Sequence, residues 1–187
     1  MAHHRLENSW CLWYVSAHTS PTVAWSERLK EVSGFETVEE FWGLFHCLVP
    51  PTVLRCPAEI YLFKGSSYPS YEAHPQGGIW SVSFSRRDDD RERLEEAWLS
   101  LVLGMIGETL DDKGDIVGCV VSVKRSHVRL SLWTATAHQT ELQQMIGHRL
   151  RLVLNLPESF ELQYRPNLET STSTHHRLSQ TAKSLTA

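Results

Sequence analysis

No stretch of the 187-residue chain approaches the roughly 20 consecutive apolar residues that a bilayer span requires. Residues 1–9 are too polar for a signal peptide, so no membrane partner is expected. The cytoplasm is the expected compartment, with the nucleus compatible. Positive charge is not in excess: 18 Lys and Arg stand against 22 Asp and Glu, a net −4. That balance excludes a protein that tracks nucleic acid mainly through phosphates. An RNA ligand would have to be held at one local site, with few phosphate contacts and much base recognition. The four cysteines, Cys11, Cys47, Cys56 and Cys119, form no CxxC pair and have no His at zinc-finger spacing, which predicts free thiols in or near the core. The catalytic signatures GxSxG, GxxxxGK[ST] and HExxH are missing. Asp111, Asp112 and Asp115 lack the spacing of an EF-hand loop. Neither enzymatic activity nor a cofactor or metal is expected.

What the chain does have is tryptophan, seven in all. Rings of that size are costly to expose, so each belongs to the core or to a site. Trp10, Trp13, Trp80 and Trp98 lie in apolar or helical-period runs and are expected in the core. Trp25 stands at the edge of a polar loop, outside any such run.

The hydrophobic pattern predicts strands at 10–15, 59–64, 79–84, 116–125, 128–136 and 160–164. A Thr37 N-cap with Glu40 three residues on predicts a helix through Phe41, Trp42, Phe45 and Leu48, ended by Pro50-Pro51. A second helix carries Leu94, Trp98, Leu101, Val102 and Met105, with Asp88, Asp89 and Asp90 suiting its N-terminus. A third carries Leu142, Met145, Ile146 and Arg149, capped by Thr140. The loop 65–78 is turn-rich and holds Tyr71-Glu72 at its middle. In the strand at 128–136, Leu130 and Leu132 share one face while Arg129, Ser131 and Trp133 share the other. Strands interrupted by three helices predict an α+β domain over residues 1–164: a mostly antiparallel sheet with helices on one face and the other left for a ligand. Residues 165–187, rich in Ser and Thr, predict a flexible tail.

Four stretches in order, WCLWYV, FETVEEFWGLF, GGIWSVSF and IGETLDDKGDIVGCVVSVK with RLSLWT, resemble the translation initiation factor 4E family, whose members bind the 7-methylguanosine cap of messenger RNA. The likeness runs from Leu6 to about Gln163. It implies a curved sheet of about eight strands, three helices on its convex face and the ligand on its concave side. It also implies that Trp25 and Tyr71 sandwich the methylated base, whose positive charge a π face attracts. By the same likeness Glu72 accepts hydrogen bonds from the guanine edge. Trp133 touches the added methyl, Lys124 and Arg129 hold the phosphates, and Arg125 is a spare cation.

The chain departs from the family where Tyr71 replaces a usual Trp, where Ile79 and Lys124 stand in place of Arg, and in a longer loop ahead of Trp25. Weaker cap binding is the expected consequence. The family's helical surface takes scaffold proteins of the 4G type, or other proteins carrying a Tyr-x-x-x-x-Leu-hydrophobic helix. His4, Val38, Trp42, Leu99 and Leu103 match it, with Trp42 the expected hot spot, and Arg5 stands where a Pro is usual. Recruitment of capped mRNA to translation initiation is the expected function. A cap-binding repressor or storage factor that does not engage a standard scaffold is the alternative. A carrier of apolar small molecules is disfavoured by the polar face that Arg129 and Ser131 give the sheet.

Overall fold

β-branched and aromatic segments pair into one sheet in the computed structural model, which describes residues 3–15, 22–65, 67–86 and 90–167. The elements are β1 (Arg5–Val15), α1 (Trp25–Arg28), β2 (Lys30–Thr37), α2 (Val38–Phe45), β3 (Ala58–Lys64), β4 (Gly78–Ser85), α3 (Arg91–Ile106), β5 (Ile116–Val123), β6 (His127–Thr134), α4 (Thr140–Val153) and β7 (Gln163–Pro166). The seven strands run in the order β2-β1-β3-β5-β6-β4-β7, with every pairing antiparallel.

The helix at 38–45 is capped as its sequence predicts. Thr37 Oγ1 accepts from the Glu40 amide at 3.2 Å, and the Glu40 carboxylate accepts from the Glu36 amide at 2.9 Å. It ends at Phe45, short of Leu48 and the Pro50-Pro51 pair. Several boundaries differ from the sequence reading. The described residues form seven strands against the expected eight or so. β2 was not anticipated, because Lys30, Glu31, Ser33 and Gly34 give it little β character; pairing with β1 recruits it. The last strand lies at Gln163–Pro166, not 160–164, with Phe160 packing ahead of it on Phe84 at 5.2 Å. Thr140 opens α4 as its first helical residue, after Gln139, and does not cap it. Asp90 precedes α3, while Asp88, Asp89, the loop 16–21 and the tail from 168 lie outside the described residues.

Strand alternation separates two chemistries. On one face Leu12, Ile60, Leu62, Trp80, Val82, Phe84, Cys119, Val121, Leu130 and Leu132 meet Phe41 of α2, Trp98, Leu101 and Met105 of α3, and Ile146 and Leu150 of α4. Trp80 and Trp10 are 1% exposed and Trp98 4%, as the core reading requires. Gly147 of α4 is needed here: a Cβ on it would lie 2.4 Å from the Trp80 ring, so only glycine lets the helix approach. Trp13 alternates to the other face, half-buried beside a smaller apolar cluster of Val15, Leu29, Tyr61, Phe63, Val120 and Trp133.

The acidic run at 111–115 is structural. The buried Asp111 carboxylate accepts from the amides of Lys113, Asp115 and Ile116. Asp115 accepts from Thr136 and Gln143, and Asp112 pairs with Arg149 at 2.6 Å. Cys11 and Cys119 are buried, and all four cysteines are free. No helix among the described residues is long and apolar enough to cross a membrane.

Candidate functional site

Register places the open face in rows, because directly paired residues of antiparallel strands point the same way. Phe63, Gly118, Trp133, Ile79 and Arg165 form one row. Tyr61, Val120, Ser131, Ser81 and Gln163 form the next, and Glu59, Ser122, Arg129 and Ser83 a third. Small serines keep the floor low and polar. Above it lies a cleft of about 870 Å³, walled by α1 on one side, the loop 67–77 on another and the segment 159–167 opposite. That volume suits a nucleotide-sized ligand.

Of the residues predicted for a cap, Trp25, Tyr71, Glu72, Lys124, Arg129 and Trp133 all line this cleft. They come from α1, a loop, the β5–β6 turn and β6, so only the fold brings them together. Arg125 is exposed at the β5–β6 turn and does not line it. Trp133 shares its face with Arg129, as alternation predicts, but it is not laid open: it is only 4% exposed. Phe63 meets it edge-on at 5.5 Å and the Tyr71 ring covers it at 4.8 Å. Trp25 is half-buried, edge-on to Tyr61 at 5.9 Å and to Tyr68 at 6.2 Å. Tyr71 is 47% exposed and makes no ring contact with Trp25. Glu72 is exposed, and its carboxylate has no hydrogen bond or ion pair among the described residues.

A hydrogen-bonded chain that the sequence reading missed runs under the first ring. The Trp25 indole N–H donates to the Tyr61 hydroxyl at 3.3 Å, and that hydroxyl donates to Glu59. Glu59 also accepts from Ser122 at 2.7 Å and from the Lys124 ammonium at 3.1 Å. Burial works to raise the Glu59 carboxyl pKa, but the bonds from Tyr61 and Ser122 and the charge of Lys124 outweigh it and hold it below the usual range. Tyr61 is pushed far up, by burial first and then by Glu59. The alternation of Glu59 and Tyr61 with buried Ile60 and Leu62 was the signal that could have found them. Arg165 was missed because it fell at the start of the predicted tail; in the structure it is in β7 and faces the cleft.

The residues predicted for a protein partner lie on the helical side. His4 is tied to the start of α2: its amide donates to Glu39 at 3.0 Å, its ring nitrogen lies 2.6 Å from the same carboxylate, and its carbonyl accepts from the Val38 amide. That contact lowers the Glu39 pKa to about 2. Trp42 is half-buried between Phe41 at 4.9 Å and a stacked His46 at 5.3 Å. Val38 and Leu103 are each 36% exposed, and Leu99 is half-buried. α2 and α3 are neighbours, since Phe41, Phe45, Trp98 and Val102 line one small apolar void.

Known proteins share this sequence pattern and this fold. The family model described as eukaryotic initiation factor 4E matches residues 5–182. Eukaryotic translation initiation factor 4E1 of Drosophila melanogaster is 33% identical over 169 residues, which cover 89% of this chain and 64% of the fly protein. The isoform 4E of Capsicum annuum is 37% identical over 81% of this chain and 75% of its own. Among solved structures, Caenorhabditis elegans eIF4E-3, in complex with the 4E-binding protein Mextli and a cap analogue, has a TM-score of 0.83 at 34% identity, covering 91% of this chain and 96% of that one. Ascaris suum eIF4E-3 with an m2,2,7G cap has a TM-score of 0.84 at 29% identity, covering 97% and 96%.

Proposed function

Because the chain belongs to the eukaryotic initiation factor 4E family, we propose that it binds the 7-methylguanosine cap of messenger RNA in the open-face cleft and hands the message to the translation initiation machinery. The observation that carries this reading is the convergence on one cleft of two aromatic rings, Trp25 and Tyr71, with a carboxylate, Glu72, and a guanidinium, Arg129, that form no ion pair among the described residues. Methylation at N7 makes the base cationic, and a cation between two π faces gains both stacking and electrostatic attraction. Trp25 is one face, held by Tyr61. Tyr71, whose ring rests on Trp133, is the other. Glu72 then accepts from N1–H and the exocyclic amine of guanine, a pair of donors that adenine and cytosine cannot offer. Trp133 lies beneath the added methyl, and Lys124 and Arg129 face the phosphates, with Arg125 at the outer turn.

A protein partner carrying an amphipathic helix docks on the opposite side, across Val38, Trp42, Leu99 and Leu103, with His4 at its margin. The worm relative solved with a 4E-binding protein and a cap analogue supports this division of labour. The deciding measurement is intrinsic tryptophan fluorescence titrated with 7-methyl-GTP and with GTP. Quenching at much lower concentration by the methylated nucleotide is expected. An equal response to the two, or none to either, would remove the cap from the account.

A further inference from the structure

Among the described residues three cations line the cleft, Lys124, Arg129 and Arg165, and their situations differ. Lys124 is spent within the protein: its ammonium lies 3.1 Å from the Glu59 carboxylate, which stays ionised on its other hydrogen bonds. Arg129 and Arg165 are exposed, and neither has a carboxylate within ion-pair distance among the described residues, although Glu72 and Glu161 also line the cleft. Arg129 stands opposite Ser83 and Arg165 opposite Ile79, on either side of β4. On an ordinary sheet their Cα atoms are roughly 16 Å apart, with side chains on the same face. Both charges act on Tyr71, which lines the same cleft. Burial and then Glu59 raise the pKa of that phenol, and the charges of Arg129 and Arg165 offset only part of the rise.

From this placement we infer that Arg165 is the second phosphate-gripping arginine of the cleft. With Arg129 it brackets the polyphosphate of the bound nucleotide from opposite walls, while Lys124 is largely neutralised by Glu59. The inference rests on the cap reading and adds to it a residue and a geometry: the anion reaches from the β5–β6 end of the cleft across to β7. A guanidinium offers two parallel donors to a phosphate, a fit that an ammonium does not provide.

The test compares 7-methylguanosine, which has no phosphate, with 7-methyl-GTP, by fluorescence titration of the intact chain and of Arg165→Gln and Arg165→Glu. Losing one charged grip weakens 7-methyl-GTP binding by about tenfold in Arg165→Gln, and by more in Arg165→Glu, while the nucleoside changes by less than about twofold. Unaltered 7-methyl-GTP binding in both variants overturns the assignment. So does an equal loss for nucleoside and nucleotide in variants that keep the wild-type melting temperature. If the wild-type chain binds neither ligand, the cap reading falls and takes Arg165 with it, an outcome distinct from the other two.

Discussion

The two faces of the sheet are made by the same strands, one residue apart, yet they obey different constraints. On the helix-backed face Trp80, Phe84, Leu130 and Leu132 are at most 1% exposed, and α4 approaches so closely that Gly147 has no room for a side chain. On the open face the neighbouring positions are Ser81, Ser83, Arg129 and Ser131. The first face stores stability in shape. The second leaves its shape unfinished, with a carboxylate, Glu72, and two arginines, Arg129 and Arg165, that form no ion pair among the described residues. A ligand therefore acts on groups the fold has not used, and a substitution on one face should leave the property of the other nearly intact.

The strongest break of that symmetry is Trp80→Ala, which should cost about 3–5 kcal/mol of stability through lost burial and an unfilled cavity, read by urea or thermal unfolding. Next come Trp25→Ala and Glu72→Ala, expected to lose up to about 3 kcal/mol of cap binding on a 7-methylguanosine matrix, with unfolding curves shifted far less than by Trp80→Ala. Retention at wild-type strength by either would take that residue out of the site. Trp42→Ala should weaken a helical partner peptide by about 2 kcal/mol and spare the nucleotide, as calorimetry with each ligand would check. A fall in nucleotide affinity instead would mean that the faces are coupled through the core that Trp42 borders.

The smallest effect sharpens the comparison from within the cleft. Tyr61→Phe removes the hydroxyl that joins Trp25 to Glu59, a change worth about 1 kcal/mol. The Glu59 pKa, held below the ordinary carboxylate range, should rise in NMR titration of the variant. A carboxyl depressed in the folded state stabilises above the ordinary carboxylate range and loses that contribution as pH falls through its folded value, so the wild type should lose more stability than Tyr61→Phe on acidification.

Much of this was legible in the chain. The Thr37–Glu40 cap, the helical period of α3 and the alternation of β6 are local signals, and each maps onto an observed element. Trp25, Tyr71 and Glu72 were legible through resemblance, since a loop position alone does not say what it faces. The rest is settled at long range. β2 forms because β1 offers it an edge, and Glu59 meets Lys124 across 65 positions of sequence. The exposure of Trp133 could not be read from alternation, because that rule assigns a face and is silent about a loop ring folding over it.

The loop that presents Tyr71 and Glu72 is bolted at its far end by a residue 93 positions beyond His74. The Asn167 side chain donates to the His74 carbonyl at 2.8 Å and its backbone amide to Gly77 at 2.9 Å, while β7 adds Arg165 and Gln163 to the cleft wall. A ribosome making this protein thus emits the aromatic loop some ninety residues before its fastening. Throughout that interval the cleft lacks β7, so its wall is complete only once residue 167 has been made.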